Sequence, residues 1–144
     1  MGKTNFNKIM PIMILMVMVG AIIIVPHSSA ATSHIAICDK SYNEVTSFNT
    51  NQKDECLKIY AKLYIDGAWK GWRDLDFDVY DPTGNQLLHF ESLTYTINGH
   101  TGVGIWSNKL SEWLPGNYTV KVSYAGNKAK GWPATTSTAV IHHS

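Results

Sequence analysis

Residues 114–124, Leu-Pro-Gly-Asn-Tyr-Thr-Val-Lys-Val-Ser-Tyr, alternate in steps of two after a Pro-Gly turn. Tyr118, Val120, Val122 and Tyr124 fall on one face, and Asn117, Thr119, Lys121 and Ser123 on the other. A period of two predicts a half-buried antiparallel strand, because successive side chains of a strand point to opposite sides. Residues 57–65 repeat the pattern, with Leu57, Ile59, Ala61, Leu63 and Ile65 inward and Lys58, Tyr60, Lys62 and Tyr64 outward. A helix there would need apolar residues three and four apart. That spacing is missing, and the Ile and Tyr content favours strand.

Shorter segments follow the same logic. Residues 33–38 are apolar enough for a first strand; residues 39–55 are polar and predict a surface loop with one weak strand at 45–48. Residues 66–73 form a loop rich in Gly and Trp, after which Leu75, Phe77 and Val79 alternate with Asp74, Asp76 and Asp78. Asp81-Pro82-Thr83-Gly84-Asn85 is a hairpin turn, since Pro suits the second turn position and Gly supplies positive φ. Return strands are expected at 86–90 and 93–97, a glycine-bearing loop at 98–104, a strand at 103–106, one helical turn within 109–114, and a last strand at 136–141. Seven to eight short antiparallel strands with almost no helix predict an all-β, two-sheet Greek-key β-sandwich. An up-and-down barrel is the second fold compatible with that pattern. Tyr118, the first inward residue after a tight turn, suits the tyrosine corner of immunoglobulin-like sandwiches.

The start of the chain changes the compartment. Lys3 and Lys8 precede an uncharged run of Ile, Met and Val over residues 9–25, and small residues follow up to Ala30 and Ala31. A basic, an apolar and a small-residue region in that order predict a secretory signal peptide over residues 1–31. An uncleaved membrane anchor is the alternative, and either way the 32–144 domain is expected outside the cytoplasm. That domain holds all 11 acids and, without Lys3 and Lys8, 10 of the 12 Lys and Arg. A balance so near neutral, with no basic cluster, argues against nucleic acid as a partner. The membrane is expected as a partner only through an uncleaved N-terminal segment.

Export also bears on the two cysteines. Cys38 and Cys56 are expected to form a disulfide tying the first strand to the next, since an even pair outside the cytoplasm most simply oxidises. Two free thiols are the competing reading. The absence of CxxC spacing argues against zinc bound by these cysteines.

Two stretches resemble a known family. Val79-Tyr80-Asp81-Pro82-Thr83-Gly84-Asn85 is similar to a hairpin of prokaryotic immunoglobulin-like domains. Leu114-Pro115-Gly116-Asn117-Tyr118-Thr119-Val120 is similar to the turn that enters their penultimate strand, and Ala125-Gly126-Asn127 and the 136–141 strand fit the end of such a domain. These modules belong to adhesin-like cell-surface proteins of archaea and bacteria, and the resemblance covers roughly residues 57–142. It implies an immunoglobulin-like β-sandwich with a non-catalytic role in surface adhesion or protein–protein contact.

Three sets of residues are candidates for chemistry. Trp69 and Trp72 flank Lys70-Gly71 in the predicted 66–73 loop, where exposed aromatic rings can stack on sugars or fill partner pockets. They are the binding candidates, for a surface protein or a glycan, and the competing reading is that they cap the core. Trp106 and Trp113 are expected in the core. Asp74, Asp76 and Asp78, joined by Asp81 at the turn, form the metal candidate, with calcium as the ion because it prefers several carboxylate oxygens. The competing reading is an ordinary solvated strand face, and no other cofactor is expected. Asn117-Tyr118-Thr119 is a glycosylation sequon on an outward position. His142-His143 is expected to fray, with weak binding of a transition metal as the competing reading. A secreted enzyme is the weakest reading, since no Gly-x-Ser-x-Gly, HExxH or catalytic Cys-His context occurs.

Overall fold

The period-two segments form eight strands in a computed structural model, which describes residues 30–54, 56–68, 70–96, 100–108 and 110–144, with the backbone alone over 100–108 and at Ser111. The strands are β1 (Ser33–Cys38), β2 (Ser47–Thr50), β3 (Leu57–Ile65), β4 (Gly71–Tyr80), β5 (Gln86–Thr96), β6 (His100–Asn108), β7 (Gly116–Tyr124) and β8 (Thr135–His143). Short 3₁₀ turns at Leu110–Glu112 and Lys128–Lys130 are the only helical elements among the described residues. None of these is long and apolar enough to cross a membrane.

Two separate sheets result, one ordered β1-β3-β6 and the other β2-β8-β7-β4-β5. This arrangement excludes a single closed barrel. All pairings are antiparallel except β2 with β8, which run parallel. The exception corrects the all-antiparallel expectation and has a simple origin. β1 pairs with β3 in the small sheet, and after a polar loop the chain resumes as β2 against the last strand of the large one.

The alternation read from the chain is the one that builds the core. On β3 the inward residues Ile59, Ala61, Leu63 and Ile65 are all buried, as are Leu75, Phe77 and Val79 on β4 and Tyr118, Val120, Val122 and Tyr124 on β7. Side chains from both sheets belong to one apolar cluster. Each fully buried Leu, Ile, Val or Phe stabilises the fold by roughly 1.5–3 kcal/mol relative to exposure. Phe77 lies against its cross-strand partner Phe90 in a near-parallel stack, with centroids 5.0 Å apart. Trp113 is buried, as expected, and meets Tyr118 at 4.4 Å between ring centroids. The Tyr118 hydroxyl donates to the Leu114 carbonyl at 2.8 Å, fastening the turn to the strand it feeds.

Several expectations need correction. The 86–90 and 93–97 strands are one continuous β5, the weak strand lies at Ser47–Thr50 rather than 45–48, and Trp72 belongs to β4 instead of a loop. His142 and His143 do not fray: both lie in β8, and His143 is buried with its Nδ1 3.0 Å from Thr50 Oγ1. Cys38 and Cys56 form no disulfide. Cys38 is the register partner of Tyr60, four residues beyond Cys56 in the chain. At about 3.3 Å per residue this offsets the two cysteines along β3 by on the order of 10 Å, more than a disulfide spans. Cys38 is covered by the 39–46 loop, which bridges back to it at Glu44, whereas Cys56 faces solvent. Residues 1–29 of the expected 1–31 signal or anchor segment lie outside the described residues, as does Trp69; so does the Trp106 side chain.

Two measurements check this packing. Phe77→Ala removes the centre of the large sheet's inner face, and urea denaturation should show a loss of about 3–5 kcal/mol; Tyr118→Phe should cost about 1 kcal/mol. Cys56 should react with a thiol reagent in the folded protein and Cys38 only after unfolding. Burial also pushes the Cys38 thiol pKa up, which keeps it protonated.

Candidate binding face on the edge strands

The large sheet buries one face and exposes the other, so whatever alternates with its core residues is presented together. On β4 these residues are Trp72, Asp74, Asp76 and Asp78, opposite Tyr95, Leu93, Glu91 and His89 of β5. β5 is an edge of the sheet, and its hydrophobic pattern is inverted over its last four residues. Thr94 and Thr96 point inward and are buried at 3% and 0% exposure, while Leu93 and Tyr95 point outward at 66% and 40%. Thr96 satisfies its buried hydroxyl by donating to the Gly71 carbonyl at 3.0 Å. Trp72, 65% exposed, meets Tyr95 edge-to-face with ring centroids 5.1 Å apart. Trp72, Leu93 and Tyr95 thus form an apolar trio in solvent, on strands whose other faces build the core.

Below the trio the face becomes acidic. Asp74, Asp76 and Asp78 share this face, as the alternation requires, but they do not converge with Asp81. Asp78 Oδ1 lies 2.7 Å from His89 Nδ1 and accepts a hydrogen bond from Gln86 Nε2 at 3.2 Å. The hydrogen bond to Asp78 raises the His89 pKa, with the charges of Asp76 and Glu91 adding to the effect. Asp81 instead organises its own turn. Its Oδ1 accepts from the Thr83 backbone N–H at 2.8 Å, the Thr83 hydroxyl at 2.7 Å and the Asn85 N–H at 2.9 Å, while Gly84 takes φ +89°. The four-Asp calcium set therefore does not exist as a unit. Among the described residues, the group that could hold a metal is Asp76, His89 and Glu91, whose ligand atoms lie within 4.8 Å of one another. Alternation along β4 places Asp76 on this face, but the two β5 members depend on a cross-strand register that no single strand reveals.

Asn117 is exposed on the outer face of β7, as its sequon position suggested, and its Oδ1 lies 2.8 Å from His142 Nδ1. Trp132 is half-buried under the Arg73 guanidinium, whose carbon sits 4.6 Å from the ring centroid. A hydroxyl–imidazole pair does occur at Thr50 and His143, but both residues are buried at 7% and 4% exposure, so substrate cannot reach it. Compared with known proteins, the chain matches no protein-family model and no curated protein.

The Asp81 turn gives a pH prediction. Hydrogen bonds from Thr83 and Asn85 hold the Asp81 carboxyl below its ordinary value. A depressed native pKa contributes stability that is complete above the unfolded value, near 3.9, and is lost as pH falls through the native one. Urea denaturation of the wild type should therefore weaken across that acid window. Asp81→Asn should remove this part of the dependence and leave neutral-pH behaviour nearly flat.

Proposed function

We propose that this chain is an exported, non-catalytic immunoglobulin-like module that makes contact with a surface protein through the outer face of β4 and β5. The inverted pattern of β5 is the observation that carries the reading. A sheet gains nothing for its own stability by placing Leu93 and Tyr95 in solvent while burying Thr94 and Thr96. Exposed aromatic and leucine side chains grouped on a rigid element are what a partner pocket or patch uses.

The fold assignment draws on four features. The sheet orders, the sharing of the first strand between sheets as β1 and β2, and the parallel pairing of β2 with β8 all suit an immunoglobulin-like Greek key. The Tyr118 hydroxyl on the Leu114 carbonyl suits its tyrosine corner. Export rests on the basic, apolar and small-residue order of residues 1–31. Sandwiches of this kind host unrelated functions, so the binding role rests on the face and not on the fold.

One observation favours glycan as a second reading: Trp72 is the most exposed aromatic among the described residues and stands beside Asp74, the pairing of ring and carboxylate that can hold a sugar. The two readings separate experimentally. If the partner is a protein, Trp72→Ala and Leu93→Ala should each weaken adhesion of the purified protein to whole cells by tenfold or more. If it is a glycan, a glycan array should give a signal that Trp72→Ala abolishes and Leu93→Ala spares. Adhesion unchanged by both substitutions, with a blank array, would remove this face from the function, and recovery of the protein from the cytosol would remove the extracellular reading.

A further inference from the structure

We propose that Asp76, His89 and Glu91 form a binding centre for a divalent transition metal of the zinc class on the outer face of β4 and β5. A ring nitrogen of His89 and carboxylate oxygens of Asp76 and Glu91 lie within 4.8 Å of one another. Asp76 and Glu91 are direct cross-strand partners, and His89 is two residues from Glu91 on the same face. Carboxylates placed directly opposite each other repel and weaken a sheet. Directly opposite Asp76 on β7 stands the uncharged Ser123, with Lys121 two residues along, opposite Asp78. A cation between Asp76 and Glu91 would turn this repulsion into attraction.

The histidine makes the group more than a cluster of acids. Its Nδ1 is 2.7 Å from Asp78 Oδ1. A carboxylate on one ring nitrogen fixes the ring orientation and leaves the other free to take a metal, as around metal-bound histidines generally. The donor set is then one imidazole nitrogen and two carboxylate oxygens, with Asp78 supporting the ring from behind. Calcium prefers six to eight oxygens and has no use for imidazole. Zinc takes nitrogen and oxygen together, and Co²⁺ follows it. Bonds of about 2.1 Å in a tetrahedron hold ligand atoms roughly 3.4 Å apart, so closure around zinc needs shifts on the order of 1 Å. Half-exposed side chains on a sheet surface can make them. Three protein ligands leave a fourth position open to water or to a donor from whatever covers this face.

The test uses the full chain purified in detergent, titrated with ZnCl₂ by calorimetry and with CoCl₂ by visible absorption. A single saturable zinc event is expected, unaffected by excess CaCl₂, with a cobalt absorption band of a low-coordinate site. His89→Ala should weaken zinc binding at least tenfold and abolish the cobalt band. Asp78→Asn keeps all three ligands and should still weaken zinc about 10–100-fold, because it removes the ring's support. Cys56→Ser and His142→Ala should change nothing. Glu91→Gln gives a readout that a merely structural role would not: the metal-free protein becomes more stable as the repulsion with Asp76 disappears, while zinc binding weakens. Absence of saturable zinc binding, or zinc binding indifferent to His89→Ala and Glu91→Gln, would overturn the proposal.

Discussion

Phe77 and its β4 neighbours Leu75 and Val79 set the geometry on which the rest of the large sheet depends. They must reach the core, where they are essentially fully buried, and a strand that commits one face inward commits the other outward. Asp74, Asp76 and Asp78 are therefore held in a row, like it or not, at the spacing of the pleat. Pairing with β7 reinforces this, since Phe77 lies opposite Val122 and Val79 opposite Val120. The acidic row is a consequence of the apolar one, and anything it binds is met by a placement that the core already requires.

What stands opposite that row is decided by a single extra residue. The Asp81 turn returns the chain so that Tyr80 pairs with Gln86, but from Val79 onward the partner is Leu88, which leaves Leu87 as a bulge. Without that shift Asp76 would oppose Phe90, and the apolar side chain would face solvent beside it. A one-residue slip moves every side chain of a strand to the other face. The bulge thus brings Phe90 onto Phe77 in the interior and turns His89, Glu91, Leu93 and Tyr95 outward together. Both the apolar trio and the His–carboxylate group exist because of it.

This explains what could be read from the chain and what could not. β3 and β7 were legible to the residue pair, because on them apolar and inward coincide throughout. The 81–85 turn was legible for the same kind of reason, with Pro, Gly and Asp each suited to its place. β5 looks like two strands in the sequence because its apolar residues change faces midway: Leu88 and Phe90 point in, Leu93 and Tyr95 point out. The apparent break between them is the inversion itself. Trp72 looks like a loop residue in the sequence because Gly71 precedes it and Arg73 follows, neither of which is a strand signal. The cysteines are a different case, since an even count says nothing about register. His143 could be known as buried only once β2 was seen to cover the end of β8.

The exposed edge also bears on strand addition by other chains. An eleven-residue edge strand with leucine and tyrosine outward is a site where a second sheet could add. The bulge at Leu87 distorts one end of that edge, and His89 and Glu91 place ionisable groups along its middle, which discourages indiscriminate pairing. Those protections fade toward Leu93 and Tyr95, where Trp72 on β4 covers part of Tyr95 instead. An edge guarded along most of its length and left apolar at one end selects against strand addition while keeping a side-chain surface available. For the contact proposed above, this arrangement favours side chains over backbone pairing.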